Sequence, residues 1–220
     1  MNQNKISEND LLRLSLIPEE KLERILDVGC GDGELTKKIK ERTGAETYGV
    51  DVSLKSCELA EEKGIIVKEA DLNQTIPFAN KFFDLVFAGD VIEHLVNPDI
   101  FLRETKRVLK DNGVLILVTP NLASWHNRIL LLFGIMPYGL EPSTENIKIG
   151  FGVFKKVMKH NPVGHLRAFT LGAIKDLLVY HGFSVEKVIG KSIVSFPSIF
   201  KIFSFYAPLS SYLIIKAKKL

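Results

Sequence analysis

Cysteine is scarce: the 220 residues hold two, Cys30 and Cys57. Two thiols build no disulfide framework, which excludes a small disulfide-stapled scaffold. The first ten residues, MNQNKISEND, lack the apolar core of a signal peptide, so the expectation is a cytoplasmic protein. Repeats and low-complexity tracts are absent. Residues 192–215 carry a single charge, Lys201, but Pro197 and Pro208 interrupt them, which argues against a transmembrane helix.

What is there is the composition of a globular protein, 46% hydrophobic and 25% charged. A chain of this length buries roughly 70% of the surface it exposes when unfolded, enough for one large domain. Charge is unevenly spread. Residues 1–146 hold 17 basic and 24 acidic side chains, and residues 147–220 hold 12 and 2. The two parts are expected to face different partners, unless the basic excess is only a solvated surface.

The first 120 residues alternate short apolar runs with amphipathic stretches. Strands are expected at 25–28, 47–50, 65–67, 83–88 and 114–118. Helices are expected from Glu34 to Thr43 with Gly44 as its stop, from a Ser53 cap to Gly64, and from an Asn97-Pro98 start to a turn at 111–113. Continuous apolar strands alternating with helices imply a parallel sheet covered on both faces. Residues 121–165 break the pattern with a Gly/Pro-punctuated stretch, read as a substrate-side lid inserted after the fifth strand. A Thr170-capped helix stopped by Gly182 and two strands, 183–189 and 211–215, follow. The whole chain is read as one domain, with core 20–120 and 166–220 and insertion 121–165.

The sharpest local signal is Ile25-Leu-Asp-Val-Gly-Cys-Gly-Asp-Gly33, where the first strand turns into the first helix. Ligands of open parallel sheets bind at the carboxyl ends of such strands. The spacing is Gly-x-Gly-x-Gly, not the Gly-x-Gly-x-x-Gly of dinucleotide sites. Asp27 precedes the first glycine by two and Asp32 lies within the loop, and a close like-charge pair with a pyrophosphate costs roughly 4 kcal/mol near a surface. S-adenosylmethionine has no phosphate and carries an ammonium and a sulfonium, so carboxylates suit it. Asp51 ends the second strand, 20 residues after Gly31, where a carboxylate can accept both ribose hydroxyls.

With Tyr48-Gly-Val-Asp51, Glu69-Ala-Asp-Leu72, Phe83–Ala88 followed by Gly89-Asp-Val-Ile-Glu-His94, and Arg107–Gly113, this loop resembles the ordered motifs of the class I S-adenosylmethionine-dependent methyltransferases. The resemblance covers residues 20–120 closely. It implies an α/β doubly wound sheet of seven mostly parallel strands, the last antiparallel, in a Rossmann-like fold. It implies that Asp27 and the Gly29-Cys30-Gly31 backbone, in the loop closed by Gly33, hold the methionine end. Asp51 would hold the ribose, Val52 would pack on the adenine, and Asp71 and Leu72 would read its edge. Ala88 and Gly89 would line the sulfonium side. Asp71 also reads as a turn residue.

Methyl transfer needs alignment above all, and an oxygen acceptor also benefits from a base. His94 and His165 are the candidate catalytic residues, while His126 and His160 lie inside the insertion; a structural role is open for each. Asp90, Glu93 and His94 resemble the divalent-ion site of some quinone-pathway O-methyltransferases, although a Glu-His pair also occurs in relatives without metal, and no metal ligand is assigned from sequence. The stretch from Pro120 and the segment His165-Leu-Arg-Ala-Phe-Thr170 resemble methionine-biosynthesis W proteins and small-molecule methyltransferases. Arg167 would there clamp an anionic group or serve as a salt-bridge partner. No RNA-binding module, Asn-Pro-Pro-Tyr motif or paired catalytic cysteines is present, so no nucleic-acid partner is expected. The expected acceptor is a small molecule, apolar or anionic. The Phe-rich, basic C-terminal third allows peripheral membrane or lipid contact. The alternative function is a non-catalytic, cofactor-binding regulator of a biosynthetic enzyme.

Overall fold

The computed structural model describes residues 8–156, 163–192 and 206–220. Seven strands make one sheet: β1 (Arg24–Val28), β2 (Glu46–Asp51), β3 (Ile66–Glu69), β4 (Phe83–Gly89), β5 (Leu109–Pro120), β6 (Phe183–Lys191) and β7 (Tyr212–Lys219). Their order across the sheet is β3-β2-β1-β4-β5-β7-β6. The first five are parallel, and β7 runs antiparallel between β5 and β6. The expected α/β doubly wound, seven-stranded, mostly parallel sheet is the observed one. Strand order reverses between β1 and β4, which opens a crevice at their carboxyl ends.

The described residues hold six α-helices: α1 (Glu8–Leu14), α2 (Glu34–Thr43), α3 (Leu54–Glu61), α4 (Pro98–Val108), α5 (Trp125–Leu132) and α6 (Leu171–Tyr180). Alternation along the strands divides the core into two layers. Leu26, Val28, Val86, Ala88, Leu115 and Leu117 point to the face where Phe101, Leu102, Ile174 and Leu178 of α4 and α6 pack. Ile25, Leu85, Phe87, Ile116 and Val118 point to the other, against Ile39 of α2, Leu14 at the end of α1, and Leu16 and Ile17 just after it. Burial on both faces is why these strands read as unbroken apolar runs.

The helix starts follow side-chain caps. Ser53 Oγ accepts from the Ser56 N–H, Asn97 Oδ1 from Ile100, and Thr170 Oγ1 from Ala173, at 3.1–3.3 Å. Helix α2 stops at Gly44, whose left-handed φ of 67° lets its N–H return to the Lys40 carbonyl.

Several expected boundaries shift. Helix α4 does not reach the 111–113 turn: Leu109 turns extended with ψ 137° and pairs with Phe83, so β5 begins there. The third strand begins at Ile66 and runs to Glu69, paired with β2. The last two strands are longer than expected because β7 pairs on both sides. The N-terminal stretch holds α1, where Leu14 is 1% exposed. Residues 121–156 are not irregular throughout. They include α5, and the Asn127 side chain pins that helix to the chain ahead, accepting from Tyr138 N (2.7 Å) and donating to Tyr138 O (3.1 Å). Ile147 and Phe151 form a small separate cluster with Ile135, Met136 and Tyr138. His160 and most of the Phe-rich stretch expected to pack or dock before the last strand, residues 193–205, lie outside the described residues. Among the described residues no helix is long and apolar enough to cross a membrane.

Removing the Asn97 cap costs about 1 kcal/mol. Asn97→Ala is therefore expected to lower Tm by about 2–4 °C in a thermal melt.

Candidate active site at the carboxyl ends of the strands

Residues from four strand ends surround a cavity of about 440 Å³: Gly29 after β1, Asp51 and Val52 from β2, Asp71 and Leu72 after β3, and Asp90 and His94 after β4. Three carboxylates line it, and no lysine or arginine is among the described lining residues.

The loop after β1 is fixed by backbone bonds. Gly29 N and Cys30 N both donate to Val50 O, at 2.7 and 3.1 Å. Asp51 secures it further: Oδ2 accepts from Gly31 N and Oδ1 from Ser53 N, each at 2.9 Å. Gly29 has φ +69°, and a Cβ there would stand 2.5 Å from Val91 Cγ2, so no other residue fits without moving the turn after β4.

Asp27 lies beneath this loop, 3% exposed, and accepts from Thr36 Oγ1 at 2.5 Å. Burial raises its pKa to about 7, against a weaker pull from the Thr36 hydroxyl and Arg13. It does not line the cavity, nor do Cys30, Gly31, Gly33, Ala88 and Gly89. Cys30 is buried, and burial pushes its thiol up and out of reach of ionisation. Gly33 instead serves as the start of α2 and packs on Ala60, while Ala88 is wholly in the core. Asp32 faces Lys63, whose Nζ bonds its carboxylate at 3.1 Å and its carbonyl at 2.5 Å. Burial pushes the Asp32 pKa up, but the Lys63 hydrogen bond and charge together with backbone N–H donors, that of Glu34 first, leave it lowered. Its charge is thus matched within the protein.

Asp71 has the turn geometry open to it in sequence. Its Oδ1 accepts from Asn73 N at 2.9 Å and Asn73 Nδ2 at 3.0 Å, and the Asn73 N–H lowers its pKa. The turn sets Asp71 and Leu72 on the cavity wall. Val52, an apolar side chain on the cavity wall, is 69% exposed.

One residue escaped sequence reasoning. Arg13 of α1 reaches over Gly89 and bonds Asp90 Oδ2 with an Nη nitrogen. The pair spans 77 residues, and no motif signals it. Asp90 holds φ +56°, uncommon for a residue with a Cβ, and its Oδ1 is buried without a hydrogen-bond partner.

On the far side of the turn Ile92–His94, Glu93 is 1% exposed. Its Oε2 accepts from Thr119 Oγ1 at 3.0 Å, while Oε1 has no partner. Burial raises its pKa to about 7. Its carbonyl accepts from Leu166 N and Arg167 N, at 2.8 and 2.9 Å, tying the segment after the insertion to the core. Arg167 donates to the Val96 carbonyl at 2.6 Å. The His94 and His165 rings stand 4.8 Å apart. Burial, with His165 beside it, lowers the His94 pKa. His126 meets Ser124 within the insertion instead.

A family model described as a methyltransferase domain matches residues 26–117. An uncharacterized protein of Methanocaldococcus jannaschii is 28% identical over 204 residues, 89% of this chain and 75% of that protein. A mitochondrial ubiquinone biosynthesis O-methyltransferase of Mus musculus is 31% identical over 130 residues. That match takes in 53% of this chain but only 35% of the mouse protein. Among solved structures, an S-adenosylmethionine-dependent methyltransferase of Thermotoga maritima, described as a possible histamine N-methyltransferase, aligns with TM-score 0.64 and 19% identity over 96% of this chain and 87% of its own. At that identity the likeness carries the fold alone.

Asp27 supplies a pH test. The folded state keeps a proton that the unfolded chain gives up above the ordinary aspartate value of 3.8, so stability falls as pH rises from there to about 7 and then levels. Denaturant titrations of Asp27→Asn are expected to lose that part of the slope, up to ~1.4 kcal/mol per pH unit. An unchanged slope contradicts the burial of the carboxyl.

Proposed function

We propose that this chain, whose residues 26–117 match a methyltransferase domain model, is a class I S-adenosylmethionine-dependent enzyme that moves the methyl group of S-adenosylmethionine to a small-molecule acceptor. The observation that carries the reading is the cavity's charge: Asp51, Asp71 and Asp90 line it, with no lysine or arginine in its described lining. A diphosphate-bearing nucleotide is repelled there and a sulfonium donor is not.

The cofactor fits the residues present. Asp51 keeps lone pairs for the ribose hydroxyls beside its two N–H bonds. Val52 offers an apolar cover for the adenine, and Asp71 and Leu72 meet its edge. The loop Gly29-Cys30-Gly31, with Asp27 beneath and Gly33 closing it, receives the methionine end, and Ala88 and Gly89 back the sulfonium side. Arg13 takes the methionine carboxylate, and the free Oδ1 of Asp90 takes the ammonium. When bound, the cofactor supplies an activated methyl with a good leaving group. The protein's part is to align the acceptor and exclude water.

The acceptor approaches from the side of His94 and His165, the residues we assign to acceptor chemistry. We assign residues 121–165 as the lid over that side, within a single domain of core 20–120 and 166–220. Around Glu93 and His165 the space has nearly closed, with Tyr138, Leu140 and Ala168 on its walls. An apolar acceptor, or peripheral contact with a lipid surface, is supported by Leu132 at 80%, Phe133 at 73% and Val153 at 83% exposure on the same insertion. The comparisons lend no support to a purely regulatory role.

Two measurements check the reading. Asp51→Ala removes the ribose acceptor and two loop bonds, so calorimetry is expected to show S-adenosylmethionine affinity down by about 10–150-fold, the loss of a charged hydrogen bond worth about 1.5–3 kcal/mol. Labelled methyl transfer into metabolite and lipid fractions is expected with the parent chain and is lost in that variant. Unchanged affinity in Asp51→Ala contradicts the assignment.

A further inference from the structure

Asn73, two residues past Asp71, lines the same cavity and bonds in two directions. Its Nδ2 donates to Asp71 Oδ1 at 3.0 Å. Its Oδ1 accepts from Val96 N at 2.8 Å and from Asn97 N at 3.2 Å, in the loop that opens α4. These tasks need a donor and an acceptor on one short, uncharged side chain. An aspartate there sets a second carboxylate against Asp71, and a leucine takes the acceptor away from two N–H groups.

Val96 is held from its other side as well. Its carbonyl accepts from an Nη nitrogen of Arg167 at 2.6 Å. Three residues earlier, the Glu93 carbonyl accepts from Leu166 N and Arg167 N, at 2.8 and 2.9 Å. The Val96 side chain is 62% exposed, so bonds to its peptide groups fix it more than packing does. The turn over residues 92–97 is thus clasped between the cavity wall after β3 and the segment that returns from the insertion. His165 and Arg167 of that segment border the closed space beside Glu93.

We infer that Asn73 is a positioning residue that couples donor binding to the placement of segment 165–167, by way of Val96. This deepens the proposed function and rests on it for the donor's identity and for the acceptor's side. An adenine seated against Asp71 and Leu72 restricts the turn to which Asn73 belongs. The Asn73 carboxamide passes that restriction to the Val96 and Asn97 N–H groups, and the Val96 carbonyl passes it to Arg167. Each link is a hydrogen bond that water can replace, so the coupling is a shift of populations. The donor favours the bonded arrangement, and the bonded arrangement binds the donor more tightly by the same factor. The consequence is an order of assembly: the donor seats first, and the acceptor side is set by it.

The test uses the full chain and S-adenosylhomocysteine, the demethylated donor, which binds without turnover. Amide exchange followed by NMR reads Leu166 and Arg167. Saturation is expected to slow exchange at both by at least about threefold in the parent chain, and to have no effect on them in Asn73→Ala. A merely structural asparagine speeds exchange in its variant without removing the ligand's effect. Calorimetry closes a double-mutant cycle: Asn73→Ala weakens the ligand by about 3–10-fold and Arg167→Ala by about 2–5-fold, and the double variant is no weaker than Asn73→Ala alone. Arg167 is not among the described lining residues of the donor cavity, so its variant tests the link from a distance, whatever Asn73→Ala does to folding. Unchanged affinity in Arg167→Ala overturns the inference. So do additive losses in the double variant, and so does ligand protection of Leu166 and Arg167 that persists in Asn73→Ala. Any of these with the ligand bound fails this inference alone; no binding to the parent chain fails the transferase reading and this inference with it.

Discussion

The carboxylate of Asp51 holds the loop after β1 to the end of β2, and the site depends on that junction. One oxygen accepts from Gly31 and the other from Ser53. The first bond sets the path of a loop whose glycine at position 29 meets the turn after β4 with no room for a Cβ. The second helps start α3, where the Ser53 hydroxyl takes over as cap. A single side chain therefore couples two crossovers and remains on the cavity wall. An ionised group in this position is stabilised by N–H donors and is costly to replace with anything that leaves those donors unpaired.

The same economy governs charge around the crevice. Acids that would crowd one another are separated by partners: Asp27 is buried on Thr36, Asp32 is turned out to Lys63, and Asp90 is joined to Arg13. What remains facing the cavity is acidic. The neighbouring space differs in kind, with two imidazoles and a buried carboxylate gathered under the segment that closes the insertion. The cavity walls come from the ends of β1 to β4, and this second group comes from the turn after β4 and the segment that returns from the insertion.

The strands β1, β2, β4 and β5 were legible in the sequence because burial on both faces leaves near-continuous apolar runs, and helices α3, α4 and α6 because Ser53, Asn97 and Thr170 cap where they stand. Asp51, Asp71 and the glycine loop were legible because each sits at a strand end in a recurring pattern. Arg13 was not, since its meaning comes from a contact across 77 residues and its helix is seven residues long. Asp32 looked like a loop acid free to meet a ligand, and only the fold brings Lys63 to it. His94 and His165 were each named, yet nothing in their spacing says that the rings meet. Periodicity reports what a residue does within its own element; a site assembled from distant elements is written only in the tertiary packing.

The central claim is that the crevice is selective for a positively charged nucleoside without phosphates. Calorimetry of the purified chain with S-adenosylmethionine and, in parallel, with NAD decides it directly. The account predicts stoichiometric binding of the first and none of the second at millimolar concentration; preference for the diphosphate, or indifference between the two, contradicts it.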